Sequence, residues 1–307
     1  MIPLAEVTSE CEALGFELSG VCAADAPLHI DALTQWVENG FAGTMDYMRR
    51  HLPLRRSPTE LLEGAQSVIA VGLNYYQDLP SGQAKRARYA LGRDYHKVIR
   101  AKLRKLERKL AEEHPGAGFR ICVDSAPLLE RELAHFAGLG WFGKNTMLIN
   151  SKRGSWFLLG FLITTLTIEV SKPSEGGCGT CRACIDACPT GAIVHQNGRW
   201  QVDSRKCISY LTIENREPDL TENTQGWVFG CDVCQEVCPF NHPRPNQPLR
   251  AQPTREPDFQ NVIPWPTREA LEILTEVEWE RITEGSATRR AKRNQLIRNA
   301  KRAGEVS

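Results

Sequence analysis

Cys178-Gly-Thr-Cys181-Arg-Ala-Cys184-Ile-Asp-Ala-Cys188-Pro189 is the stretch on which the reading of this 307-residue chain turns. Its C-x2-C-x2-C-x3-C-P spacing is that of bacterial ferredoxins, where three thiolates reach one cubane cluster and the fourth serves its neighbour. A second half follows as Cys231-Asp-Val-Cys234-Gln-Glu-Val-Cys238-Pro239, with Cys207 between the two. Four thiolates per cluster then divide the cysteines evenly. Cys178, Cys181 and Cys184 take Cys238 as their fourth ligand, and Cys207, Cys231 and Cys234 take Cys188. Zinc is the competing ligand for paired cysteines. It does not account for three cysteines at successive two-residue spacings, nor for proline after the last cysteine of both halves. The second half departs from the symmetric pattern, having lost one C-x2 step and drawn its ligand from Cys207. A disulfide framework does not suit a long chain without an export signal.

Working outward, 41 % hydrophobic residues suffice for a sizeable core, and a net charge of +1 excludes a globally basic protein. The N-terminus lacks the basic start and apolar centre of a signal peptide, and the most apolar stretch, residues 156–168, is too short to span a bilayer. Eleven cysteines without an export signal fit a reducing cytoplasm. The expected class is α+β: an N-terminal α/β domain over 1–170, a ferredoxin-like two-cluster domain over 171–245, and a Pro-rich connection with a short basic helical tail over 246–307. A cytoplasmic monomer is expected, with no membrane partner.

The first domain reads as a helix over 2–15, a strand over 16–24, a helix over 31–39 and a buried strand over 67–73. Cys11 and Cys22 are expected in the core, since free cysteine behaves as a small hydrophobe. Asn74-Tyr75-Tyr76 follows the second strand, at the edge where α/β folds place ligands. Residues 119–124 form another strand, and Ser125-Ala-Pro127 opens a helix with proline in its first turn. Neither G-x4-G-K-[ST] nor G-x-G-x-x-G occurs at a strand–helix junction, which removes the usual nucleotide sites. Residues 85–109 hold eleven Lys or Arg against Asp94 and Glu107, while Ile99, Leu103, Leu106 and Leu110 recur at helical spacing. Residues 286–302 add seven basic residues and no acid. Both windows suit a nucleic-acid backbone, whose condensed counterions Lys and Arg displace.

Two adjacent clusters relay electrons one at a time and name no substrate. The residues do carry a resemblance. Val123-Asp-Ser-Ala-Pro-Leu-Leu-Glu-Arg131, Gly140-Trp-Phe-Gly-Lys-Asn145, Gly154-Ser-Trp-Phe157, Cys188-Pro-Thr-Gly-Ala192, Cys207-Ile-Ser-Tyr-Leu-Thr212 and Gly230-Cys-Asp-Val-Cys-Gln235 together resemble the epoxyqueuosine reductases. That family consists of cobalamin-dependent iron–sulfur enzymes of tRNA modification. The resemblance implies reduction of the epoxide of epoxyqueuosine, at the wobble base, to the alkene of queuosine. Two [4Fe–4S] clusters, fed by an external low-potential donor, would pass electrons to the corrin cobalt in the first domain. The oxygen that leaves needs a proton, and Asp124 matches the family's proton-donor aspartate. The alternative role for Asp124 is a helix cap. As an acid it would need its pKa raised by burial to hold a proton at neutral pH.

Corrin contacts implied by the resemblance and by loop position are Arg55, Tyr89, Asp94, Tyr95, Lys144, Asn145 and Ser155, with Ser209 and Asp232 near the second cluster. His96, His135 and His195 are not taken as cobalt ligands. The tRNA anticodon arm is expected on Lys102, Arg104, Lys105, Arg289, Arg290, Lys292 and Arg293. Longer family members carry a C-terminal repeat module, so binding here would rest more on the two patches. Two other readings compete: a dehalogenase-like cobalamin reductase of a small molecule, and an iron–sulfur electron carrier without its own active site.

Overall fold

The strand at Ser67–Asn74 is buried at all eight positions, as its β-branched apolar run requires. A computed structural model, describing residues 1–26 and 28–304, sets it inside a four-stranded sheet. Leu18–Ala23 pairs on one side; Phe157–Thr164 pairs on the other and carries Phe119–Cys122 at its far edge. Side chains alternate across the sheet. Ile69, Val71 and Leu73 meet Val98, Ile99, Leu103, Leu106 and Leu110 of the Tyr95–Glu113 helix. Val68 and Ala70 face Leu133 and Ala134 of the Glu130–Phe136 helix. Gly160 lets the long helix approach closely, since a Cβ there would lie 2.4 Å from Ile99 Cγ2. Cys11 and Cys22 are buried, and burial pushes both thiols up to about 12.

Two expectations change. Every neighbouring strand pair in this sheet is antiparallel, so the ligand-edge argument for Asn74-Tyr75-Tyr76, which belongs to parallel sheets, does not apply. Those residues join segments instead. Tyr75 Oη donates to Gln235 Oε1 at 3.2 Å, Asn74 Nδ2 donates to the Gln252 carbonyl at 2.8 Å, and the Tyr76 carbonyl accepts from Thr254 N at 2.7 Å. The helix expected to open at Ser125 begins only at Glu130. Ser125 N donates to Val123 O at 2.6 Å and Leu128 N to Ala126 O at 2.8 Å, so the intervening residues turn rather than coil. Asp124, at φ 54°, sits in the left-handed region ahead of those turns and caps no helix.

The cysteine-bearing segment contains a hairpin, Ile193–Gln196 with Arg199–Val202. Asn197 and Gly198 close it at φ 54° and 73°, the pair of positive angles that a type I′ turn needs. Trp227–Phe229 pairs in parallel with Lys85–Arg86 of the first domain. The basic C-terminal segment is no free tail. Leu271, Leu274, Trp279, Ile282, Leu296 and Ala300 form one core with Val228, Phe229, Ala84 and Ala90. Its cations are largely engaged: Arg289 with Glu280, Arg290 with Glu214, Arg293 with Glu276, and Arg298 with the carbonyls of Leu211 and Asn215. No helix among the described residues is long and apolar enough to cross a membrane.

Asn299 shows how the C-terminal helix is fastened. Fully buried, it donates to the Thr212 carbonyl at 2.8 Å and the Val228 carbonyl at 2.9 Å. Asn299→Ala leaves two buried acceptors unpartnered and is expected to cost about 1–3 kcal/mol of unfolding free energy. Urea denaturation followed by tryptophan fluorescence checks this; an unmoved midpoint contradicts it.

Candidate active site

Cys178 and Cys181 lie in the loop before the short Ala183–Asp186 helix, which holds Cys184, and Cys188 lies in the turn after it. Cys231 and Cys234 flank the start of the matching Val233–Glu236 helix, and Cys238 opens the 3-10 turn at Pro239–Asn241. Cys178, Cys181, Cys184 and Cys238 surround one cavity, walled also by Asn145, Ile149, Pro239 and Phe240. Cys207 caps the Ile208–Ile213 helix, and the thiolates that act on Cys231 are those of Cys207 and Cys188. Burial pushes the Cys184 thiol up to about 11 and Cys231 to about 12, with neighbouring thiolates adding to both. Iron would supply the positive charge that lets such thiols ionise. Eight thiols in two sets of four are the donor chemistry of two [4Fe–4S] clusters. The Cys188 sulfur accepts from Ala192 N at 3.3 Å.

Several residues expected on a corrin hydrogen-bond the thiol segments or their neighbours. Lys144 Nζ donates to the carbonyls of Gly179 and Cys181, and Asn145 Nδ2 to that of Cys234 at 3.2 Å. Ser155 is 2 % exposed; its N–H donates to Asn241, its carbonyl accepts from Gln235, and its hydroxyl oxygen accepts from both. Asp232, also 2 % exposed, accepts from Arg88 N at 2.8 Å and Arg88 Nη1 at 3.1 Å. Ser209 hydrogen-bonds the Cys207 sulfur. The family-like motifs made these residues visible, but not which side of the chain each one faces.

The other expected residues gather at one corner, where the Tyr95–Glu113 helix begins. Asp94 caps that helix, accepting from His96 N at 3.0 Å, and its Oδ1 lies 2.7 Å from His96 Nδ1. His96 Nε2 reaches Asp124 Oδ2 at 3.1 Å, and the Asp124 side chain is 60 % exposed. Tyr95 stacks on His96 and hydrogen-bonds Asp124; Tyr89 packs edge-on against Tyr95. Burial alone would depress the His96 pKa, but the Asp124 and Asp94 carboxylates reverse this and push it up to about 9. Desolvation raises the Asp124 carboxyl, yet His96 and then Tyr95 outweigh it and hold the carboxyl below its ordinary range.

The expected upward shift of Asp124 is therefore absent here. In this arrangement the proton sits on the imidazole. Glu130 accepts from Asp124 N at 2.7 Å, and burial followed by the Asp124 charge pushes its carboxyl up to about 8. Arg55 Nη1 donates to the Leu128 carbonyl at 2.6 Å, while its buried Nε has no protein partner. Sequence reasoning declined His96 as a metal ligand and missed it as a proton carrier. The signal available was its place two residues after a capping aspartate.

Residues 177–241 match the protein family described as a 4Fe-4S double cluster binding domain. Thiols set for electron transfer, in one chain with a histidine and a carboxylate sharing a proton, define an iron–sulfur oxidoreductase. Residues 55–125 match the family described as epoxyqueuosine reductase QueG, DUF1730. The epoxyqueuosine reductase of Synechococcus sp. (strain CC9605) is 46 % identical over 283 residues, covering 89 % of this chain and 84 % of that one. That of Gloeobacter violaceus is 44 % identical over 314 residues, with 97 % and 95 % covered. A crystal structure of an epoxyqueuosine reductase with an epoxyqueuosine-modified tRNA-Tyr stem loop superposes with a TM-score of 0.80 at 28 % identity, covering 97 % of this chain and 80 % of that one. The chain belongs to the epoxyqueuosine reductase family.

The shared proton has a direct consequence. His96 is charged below about 9 and loses that charge as pH rises through this value. Asp124→Asn removes one of the two carboxylates that raise it. Side-chain 15N NMR of histidine-labelled protein is expected to show the His96 titration moving down toward the ordinary value near 6.5. A midpoint unchanged by the substitution contradicts the coupling.

Proposed function

We propose that this chain reduces epoxyqueuosine to queuosine at the wobble position of tRNA. The eight thiols would hold two [4Fe–4S] clusters able to relay electrons from an external low-potential donor, and the first domain would hold a cobalamin. The observation that carries this reading is the Asp124–His96 pair, an exposed carboxylate backed by a charged imidazole on the substrate domain. The family supplies the substrate, and one relative has been seen with a modified tRNA stem loop.

Arg55 fits a corrin, because its buried Nε still lacks an acceptor of the kind a propionamide oxygen provides. Tyr89, Tyr95 and Asp94 stand at the same corner and complete the contacts we favour on the first domain. When bound, the corrin cobalt supplies a strongly reducing centre. The chain's own residues manage the protons. Converting the epoxide to an alkene and water consumes two electrons and two protons. His96 Nε2 passes a proton to Asp124 Oδ2, and Asp124 delivers it to the departing oxygen. Asp94 holds Nδ1 and so fixes which ring nitrogen faces Asp124. Glu130, neutral near pH 7, spares the site a second negative charge beside Asp124.

The long helix also points to the tRNA path. Its N-terminus meets Asp124 through His96. Lys97, Arg104 and Arg108 are exposed and fall on one helical stripe, spanning about 16 Å along the axis. Lys102, by contrast, is bound to Glu256 at 2.7 Å. We place the phosphates of the anticodon stem on the free stripe, with the wobble base reaching the corner.

Asp124→Asn is expected to retain iron and cobalamin while losing about 100-fold or more in turnover; full turnover removes Asp124 from the reaction. Replacing Lys97, Arg104 and Arg108 by Gln should weaken tRNA binding and flatten its salt dependence by about one unit of log–log slope for each phosphate no longer neutralised. Arg290→Gln, whose charge Glu214 already answers, should leave the slope unchanged. Equal slopes for both variants rule out the stripe.

A further inference from the structure

Two cations beside the first thiol set have no carboxylate to answer them. Lys144 Nζ donates to the Gly179 carbonyl at 2.8 Å and the Cys181 carbonyl at 2.9 Å, over the Trp200 ring. Arg250 is 6 % exposed. Its Nη1 donates to the Pro239 carbonyl at 3.3 Å, its Nε and Nη2 to the Ser151 carbonyl at 3.2 and 2.8 Å, and it stacks on Phe240. Gly179 and Cys181 belong to the first cysteine loop and Pro239 follows Cys238, so each cation is fixed to the backbone of a segment that bears a thiol of this cavity.

Neither cation forms an ion pair with an acid among the described residues. A guanidinium buried against carbonyls alone is expensive, unless a negative charge lies close by. A cubane held by four thiolates carries a net negative charge and gains another on reduction. Near the second set, by contrast, the buried cation Arg88 is answered by both Asp232 and Glu236 and so brings no uncompensated positive charge.

We propose that Lys144 and Arg250 are redox-tuning residues: they raise the reduction potential of the cluster on Cys178, Cys181, Cys184 and Cys238 above that of the other cluster. Cations next to a centre that becomes more negative on reduction favour its reduced form. The first cysteine loop is also the outward one, since Gly179, Thr180 and Arg182 are exposed. The cluster best able to hold an electron is therefore the one nearest solvent, where an external donor must deliver it. This inference rests on the two-cluster reading and on the division of thiols given above.

The test is a potentiometric titration of iron-loaded, cobalamin-free protein, read by electron paramagnetic resonance, for wild type, Lys144→Gln and Lys144→Arg. Wild type should show two one-electron signals of different potential. Lys144→Gln should move the higher one to more negative potential and leave the lower one in place; Lys144→Arg should stay near wild type. Arg250→Gln should move the same signal in the same direction. Unmoved potentials, or equal movement of both signals, overturn the proposal. Fewer than two signals in wild type sink the two-cluster reading and this proposal together, whereas two signals with no response to Lys144 sink the tuning alone. Should Lys144→Gln lose iron, Lys144→Met is measured in its place. Failure of both neutral variants to hold the first cluster makes Lys144 a structural clasp and likewise overturns the proposal.

Discussion

A buried knot of three polar side chains holds the electron-carrying part of this protein to its substrate part. Gln235 donates to the Ser155 carbonyl and hydroxyl, Asn241 donates to the Ser155 hydroxyl and the Gln235 carbonyl, and Ser155 N donates back to Asn241. Tyr75 closes the set on Gln235 from the end of the central strand. Gln235 and Asn241 lie on either side of Cys238, so the position of that thiol is referred to the sheet through directional bonds. Gly154 is part of the same constraint, because a Cβ there would come within 2.2 Å of Asn241 Oδ1. A polar network satisfied throughout is rigid, and a partly broken one costs more than an apolar contact would. Apolar packing alone would let the two parts slide.

The proton side is arranged by charge rather than by burial. An acid kept protonated by desolvation needs a closed apolar pocket, whereas Asp124 is open to solvent. Its companion His96 instead carries the proton between two carboxylates. The arrangement leaves the Asp124 carboxylate open to solvent and still keeps a proton one transfer away. Its own burial, and then the nearby Asp124 charge, keep Glu130 neutral near pH 7, so two neighbouring acids divide the protonation states between them.

The cysteine spacing made the cluster segment legible, because thiol ligation demands near-fixed intervals along the chain. The buried strands and the apolar stripe of the long helix were legible from their periods of 2 and 3.6. Strand direction was not: hydrophobic alternation says which face a residue takes and nothing about whether its neighbour runs parallel. Nor was the fate of the charges. Arg289, Arg290 and Arg293 read as a free basic patch, yet each meets an acid that lies between nine and 76 residues away in the chain. The same holds for Lys144, Ser155 and Asp232: their bonds to the first cysteine loop, to Gln235 and Asn241, and to Arg88 are partnerships that no motif spacing announces. Asp124 was legible as a residue of consequence, but its protonation depended on His96, which only the turn after Val123 brings within reach.

Asn74 and Tyr76 are hydrogen-bonded to residues 252 and 254, Phe259 fills the core beneath the central strand, and residues 85–86 wait for 227–229 to pair. The chain therefore closes its first half with pieces of its last. The N-terminal half thus emerges before Phe259 and residues 227–229, which complete its core and pair its edge. Three cysteines of the first loop appear long before Cys238, the thiol that completes their set. The first thiol set therefore cannot be complete before Cys238 exists, and the two halves of the chain are not finished modules in their order of synthesis.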